Sequence, residues 1–95
     1  MGSHAFDEAL ESISSKTFAG TKLTIAKQVV SANCLKCKQV KEIMKQFTFE
    51  SDRLEFAKYA YQYTWDINNY FLLNDAFEFE SSVDDLNRFI NSRKK

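Results

Sequence analysis

The chain has 95 residues, 15% of them aromatic, and its thirteen Lys and Arg balance thirteen Asp and Glu. That length suits one small domain with an efficient core, and nine Phe, four Tyr and one Trp supply large core volume from few positions, which excludes a disordered chain. Zero net charge, with neither sign gathered into a long block, excludes nucleic-acid binding by counterion release.

The opening Met1-Gly-Ser-His4 reads as an expression-vector remnant carrying the sole histidine, which leaves 5–95 as a single all-helical domain. No stretch approaches the roughly 18 apolar residues of a membrane span. There is no proline, and both glycines, Gly2 and Gly20, lie early, so nothing beyond Thr21 forces a break. Apolar residues at steps of three and four predict six short helices. Phe6, Leu10 and Ile13 mark one over 5–15, and Leu23, Ala26 and Val30 one over 20–31. Val40, Ile43, Met44 and Phe47 mark 37–46, and Leu54, Ala57 and Tyr61 mark 51–63. Ile67, Tyr70 and Phe71 mark 66–75, and Val83, Leu86 and Ile90 mark 82–92.

Ser51, Asp66 and Ser81 or Ser82 stand where a side-chain oxygen can cap a first turn, and Ser81 with Asp84 approximates a capping box. The last helix runs from Asp84 and Asp85 to Arg88 and Arg93, acids first and bases last, as the helix dipole favours; Lys94 and Lys95 extend its basic end.

The phrase FTFES at 47–51 returns as FEFES at 77–81. A shift of about 31 residues lays Phe18, Lys22, Leu23, Ile25, Ala26 and Lys27 on Phe49, Arg53, Leu54, Phe56, Ala57 and Lys58, the period of helical-hairpin repeats. Phe49-Glu50-Ser51 then reappears as Phe79-Glu80-Ser81. The expected fold is all-α, with stacked hairpins forming a compact bundle or short solenoid. In it, the phenylalanine of each unit plugs the gap between helices, followed by a serine cap.

The run QVKEIMKQFTFESDRLEFAKYAYQYTWDINNYFLLNDAFEFESSVDDLNRFI, with TKLTIAKQVVSANCL before it, resembles the bacterial family termed domain of unknown function 4476. The resemblance implies an all-helical domain of envelope or secreted proteins from Bacteroidetes-type bacteria, behind a signal sequence not contained in these residues. It supplies no activity. Where similar sequences start the third helix on small hydroxyl residues, this chain has Lys36 and Cys37, leaving that helix without an evident cap.

Two stretches invite chemistry. Cys34-Leu-Lys-Cys37 has the spacing of a redox dithiol or half a zinc site. A zinc site wants four ligands, and a thioredoxin-like site wants a βαβ setting that is not indicated here. Packed thiols or a local disulfide are the plainer readings. Tyr59, Tyr61, Tyr63 and Trp65, with Asn68, Asn69 and Tyr70 beyond a turn, could instead form a recognition surface for a protein or glycan. On a helix, Tyr59 and Tyr63 share a face while Tyr61 turns away; stacking on both sides would bury the rings as core.

Glu50, Asp66, Asp75 and Glu80 are the remaining candidates for acid or base work, and repeat and capping positions account for them. The expectation is therefore a non-catalytic binding or assembly module without metal or cofactor. A purely structural domain is the alternative, and a thiol redox role a distant third.

Overall fold

A computed structural model describes residues 1–93; Lys94 and Lys95 of the predicted basic end lie outside the described residues. Five α-helices and two 3₁₀ segments follow one another: α1 (Ser3–Ser14), α2 (Ala19–Ala32), α3 (Cys37–Met44), α4 (Glu50–Ala60), 3₁₀ turns at Tyr61–Tyr63 and Ile67–Ala76, and α5 (Glu80–Arg93). The all-helical expectation holds, and no strand occurs among the described residues. α2 packs between α1 and α4, α4 between α2 and α5, while α3 lies against α4 and the 67–76 helix.

The core gathers Ile13 from α1, Ala26 and Val30 from α2, Val40, Ile43 and Met44 from α3, and Phe56, Ala57 and Ala60 from α4, all fully buried. These are mostly the residues on the predicted stripes, because a step of three or four keeps side chains on one helix face. The 67–76 segment follows a different rule. Tyr70, Leu73 and Ala76 are its buried residues. Steps of three eclipse side chains along a 3₁₀ helix, so this winding places all three inward. Phe71, assigned to the inner stripe on an α-helical period, is consequently turned out; Ile67, in register with Tyr70 but at the first residue of the segment, is exposed all the same.

Two expectations about the repeated phrase are corrected. In FTFES it is Phe47 that enters the core, edge-on to Phe56 at 5.6 Å. Phe49 lies at the N-cap of α4 and is 58% exposed, as is Phe79 just before α5, and Phe18 at the N-cap of α2 is 75% exposed. The aligned phenylalanines are helix-start residues; in the second and third units the inward ring is two positions earlier, Phe47 in the core and Phe77 partly buried against it, and the first unit has Lys16 there.

The predicted serine caps are also displaced, because α4 starts at Glu50 and α5 at Glu80, so Ser51, Ser81 and Ser82 lie inside the helices. α4 has no side-chain cap, and long-range carboxylates take the amides before α5 and at α3. Glu50 accepts hydrogen bonds from the amides of Glu78 (3.1 Å) and Phe79 (3.1 Å) at the entry to α5. Asp66 precedes the second 3₁₀ helix, but its side chain makes no capping bond there. It accepts instead from the Cys37 amide at 2.8 Å, capping α3 from 29 residues away. Gln39 adds a bond from the Lys36 amide at 3.0 Å, so the missing local cap of α3 is made good.

Arg53 in α4 joins the two turns that carry the repeated phrase. Its Nε donates to the Phe47 carbonyl at 2.9 Å and its Nη1 to the Ala76 carbonyl at 2.7 Å. Lys22, on α2, makes the corresponding reach to the Gln46 carbonyl at 3.4 Å. Ion pairs tie the neighbouring helices farther along: Lys27 to Glu55 at 2.6 Å and Lys58 to Asp85 at 3.2 Å.

Phe47→Ala should therefore lower unfolding free energy in urea by about 3–5 kcal/mol, the usual cost of emptying a core phenylalanine site. Phe49→Ala and Ser51→Ala should each stay within about 0.5 kcal/mol. Comparable losses at Phe47 and Phe49 would contradict these placements.

Candidate functional site

The structure divides the predicted aromatic surface. Tyr59 and Tyr63 lie on one side with ring centroids 5.5 Å apart, and Lys27 sits 5.2 Å above Tyr59. Tyr61 turns to the other side, as its helical phase requires, and packs edge-on against Tyr70 at 5.2 Å and Phe89 at 6.2 Å. Trp65 is 64% exposed beside a shallow groove lined by Cys34, Tyr63 and Thr64. Asn69 binds the Asp66 carboxylate and is not free for a ligand. Tyr70 is buried, its hydroxyl donating to the Ala57 carbonyl, and burial pushes that phenol well above its ordinary range. The seven predicted residues thus do not form one site.

Three of them, Tyr61, Asn68 and Tyr70, do line one cleft of about 550 Å³ between the 67–76 helix and α5. Ile67, Phe71 and Asn74 complete one wall; Val83, Asp84, Leu86, Asn87 and Ile90 form the other. Phe71 is 65% exposed and Ile67 43%, and the two lie together on one wall of the cleft, which makes a joined apolar surface there. The volume lies within the common range for ligand sites, and the lining combines an apolar floor with a few polar groups.

The α5 wall was not anticipated, although the sequence carries a signal for it. Carried one unit further, the alignment replaces Leu23 and Leu54 by Asp84, and Ala26 and Ala57 by Asn87. Positions that face neighbours in α2 and α4 become polar in α5. Phe71 was missed for the reason already given, that its segment winds in threes.

Neither cysteine is in a disulfide. The local bridge that the CxxC spacing allows is not formed, because Cys37 points inward and its Sγ donates to the Asp66 carbonyl at 3.1 Å, while Cys34 lies exposed in the preceding loop. Burial first, then the neighbouring Asp66 carboxylate, pushes the Cys37 thiol up to about 12, so it holds its proton and is a poor nucleophile. Partial desolvation of Asp66 works against its charge. The Cys37 amide, the Asn69 side chain and the Cys37 thiol outweigh it and hold the carboxyl below its ordinary range. Glu50 is lowered in the same way: desolvation opposes, and bonds from Ser82 and the Phe79 and Glu78 amides prevail, with Arg53 adding its charge. Both carboxylates are engaged in capping. Among the described residues no group of three or more His, Cys, Asp or Glu side chains could hold a metal ion, and no helix is long and apolar enough to cross a membrane.

The family model described as Domain of unknown function (DUF4476) matches residues 1–90. No curated protein and no solved structure matches the chain.

In native protein at neutral pH a disulfide-exchange reagent should titrate one thiol, Cys34, and reach Cys37 only after denaturation; rapid modification of both would contradict the buried, protonated Cys37. Asp66 supplies a pH signature. Its folded pKa lies below the unfolded value of about 3.9, so its contribution is full above that value and lost as pH falls through the folded pKa. Asp66→Ala should cost about 0.5–2 kcal/mol near neutral pH, the range for a lost cap. The gap between variant and parent should close in acid, and a gap independent of pH would contradict the capping role.

Proposed function

The chain belongs to the family described as Domain of unknown function (DUF4476), and we propose that it is a non-catalytic binding or assembly module whose ligand enters the cleft between the 67–76 helix and α5. The observation that carries this reading is the exposure of Ile67 and Phe71 on a concave wall, opposite Asp84 and Asn87. Open apolar area rimmed by polar groups is what recognition sites present, and its cost in water is offset when a partner covers it.

The module is a short stack of helical units, and the same contact set recurs at both junctions. Lys27 meets Glu55 and the Tyr59 ring; Lys58 meets Asp85 and the Phe89 ring. Lys22 reaches the carbonyl of Gln46, and Arg53 that of Ala76. Each pair is offset by about 31 residues on one side and about 30 on the other, so a single interface design is used twice. The face of α5 turned away from α4 carries the exposed Asp84 and Asn87, and no further helix packs on it among the described residues. The cleft lies between that face and the 67–76 helix.

Three of the groups that the sequence offered for chemistry are already engaged. Asp66 and Glu50 are held by amides, and Cys37 by its proton. The setting we propose is the cell envelope or the secreted fraction of a bacterium, following the sequence resemblance, with a protein or glycan as the class of ligand.

The isotope-labelled domain titrated with fractionated envelope extract should shift the amides of Ile67, Asn68, Phe71, Asn87 and Ile90. Phe71→Ala should weaken that response at least about tenfold, as removal of a hot-spot ring does, with the helical signal unchanged. Shifts centred on Tyr63 to Trp65, or none in any fraction, would reject the cleft as the site.

A further inference from the structure

Resting on the reading of the cleft as a binding site, we propose that its ligand is an extended peptide segment that sets a lysine or arginine beside a large apolar side chain.

Within the stack, two of the five positions of α5 that border the cleft correspond to Leu23 and Ala26 of α2 and to Leu54 and Ala57 of α4. There, aliphatic side chains meet the apolar faces of packed helices, and Ala26 and Ala57 are fully buried. In α5 the same places hold Asp84 and Asn87, both exposed. Another apolar helix would bury a carboxylate and a carboxamide without partners, at a cost in free energy, so the cleft is unsuited to one more unit of the stack.

A second copy of this chain added through α2, in continuation of the stack, fits no better. The inter-helix lysines Lys27 and Lys58 each engage a carboxylate and a ring four residues apart on the next helix. Arg88 is their counterpart at the open end, and the α2 positions that would receive it in another copy are Thr24 and Gln28, which offer neither group.

The polar groups specify the ligand. Asn68, Asn74 and Asn87 line the cleft, and none of their side chains is bonded within the protein among the described residues. A carboxamide presents a donor and an acceptor in one plane, which matches the N–H and C=O of an extended backbone whose own groups are unpaired. A helical ligand has already spent those groups internally. Asp84 forms no ion pair among the described residues, and an ammonium or guanidinium is the group that complements it. Ile67, Phe71, Val83 and Ile90 then accept the apolar side chain.

A neutral glycan uses this lining poorly. Sugar rings stack on open aromatic faces, whereas Tyr70 is buried and Tyr61 is packed edge-on between Tyr70 and Phe89. Phe71 alone offers a free face, and the other apolar groups are branched aliphatics.

The test is selection from a displayed library of random peptides of about twelve residues, long enough to cross the cleft, on the immobilised domain, with a glycan array probed in parallel. Recovered peptides should combine a base with a large apolar residue, and their affinity should fall with added salt. Asp84→Asn should weaken a recovered peptide at least about fivefold and Phe71→Ala at least about tenfold, while Trp65→Ala has no effect. Peptides indifferent to Asp84→Asn, or glycans lost on Phe71→Ala in the absence of peptide binders, would overturn the ligand class while leaving the cleft as a site. Binding of neither class would overturn both.

Discussion

Arg53 occupies the junction on which the shape of this domain depends. From the first turn of α4 its guanidinium holds the Phe47 carbonyl, in the turn after α3, and the Ala76 carbonyl, at the end of the 67–76 helix. Neither carbonyl is supplied with a donor by a helix that continues past it, and a planar guanidinium with donors fixed in a fork can satisfy both in different directions. Three residues earlier, Glu50 takes the amides that lead into α5. One turn of α4 thus holds both the exit of the 67–76 helix and the entry of α5. Those two elements are the walls of the cleft, so the geometry of the site is set from outside it.

Much of the fold was legible in the chain because helical burial is a local pattern. The stripes of α1, α2, α3 and α4 follow steps of three and four, and the core residues Ile13, Ala26, Ile43 and Ala57 are read directly from them. The caps were misread because α4 and α5 start one or two residues before the serines, and because the carboxylates that do take free amides, Glu50 before α5 and Asp66 at α3, come from far along the chain. Nothing near Cys37 announces Asp66, and nothing near Phe79 announces Glu50. The repeated phenylalanines were misplaced for a related reason. Their recurrence marked a structural position, the start of a helix, and recurrence alone does not say that a ring points inward.

The candidate site was legible in half. Tyr61, Asn68 and Tyr70 belong to the cleft, whereas Tyr59 and Tyr63 fall on the other side by the helical phase already evident in the sequence, Trp65 stands beside a separate groove and Asn69 is bonded to Asp66. The opposite wall comes from α5, and only the departure of Asp84 and Asn87 from the α2 and α4 pattern pointed to it. Covalent chemistry has no part in this account, and the buried Cys37 serves as a small core residue that also donates to the Asp66 backbone.

The central claim is that Arg53 couples the two turns and thereby sets the walls of the cleft. Hydrogen–deuterium exchange of Arg53→Met against the parent, resolved by peptide, tests it most directly. The account predicts faster exchange in both 45–49 and 76–82, with α1 and α2 keeping their protection. A rise confined to 45–49, or an even rise across the whole chain, would show that the turns are held independently and would contradict it.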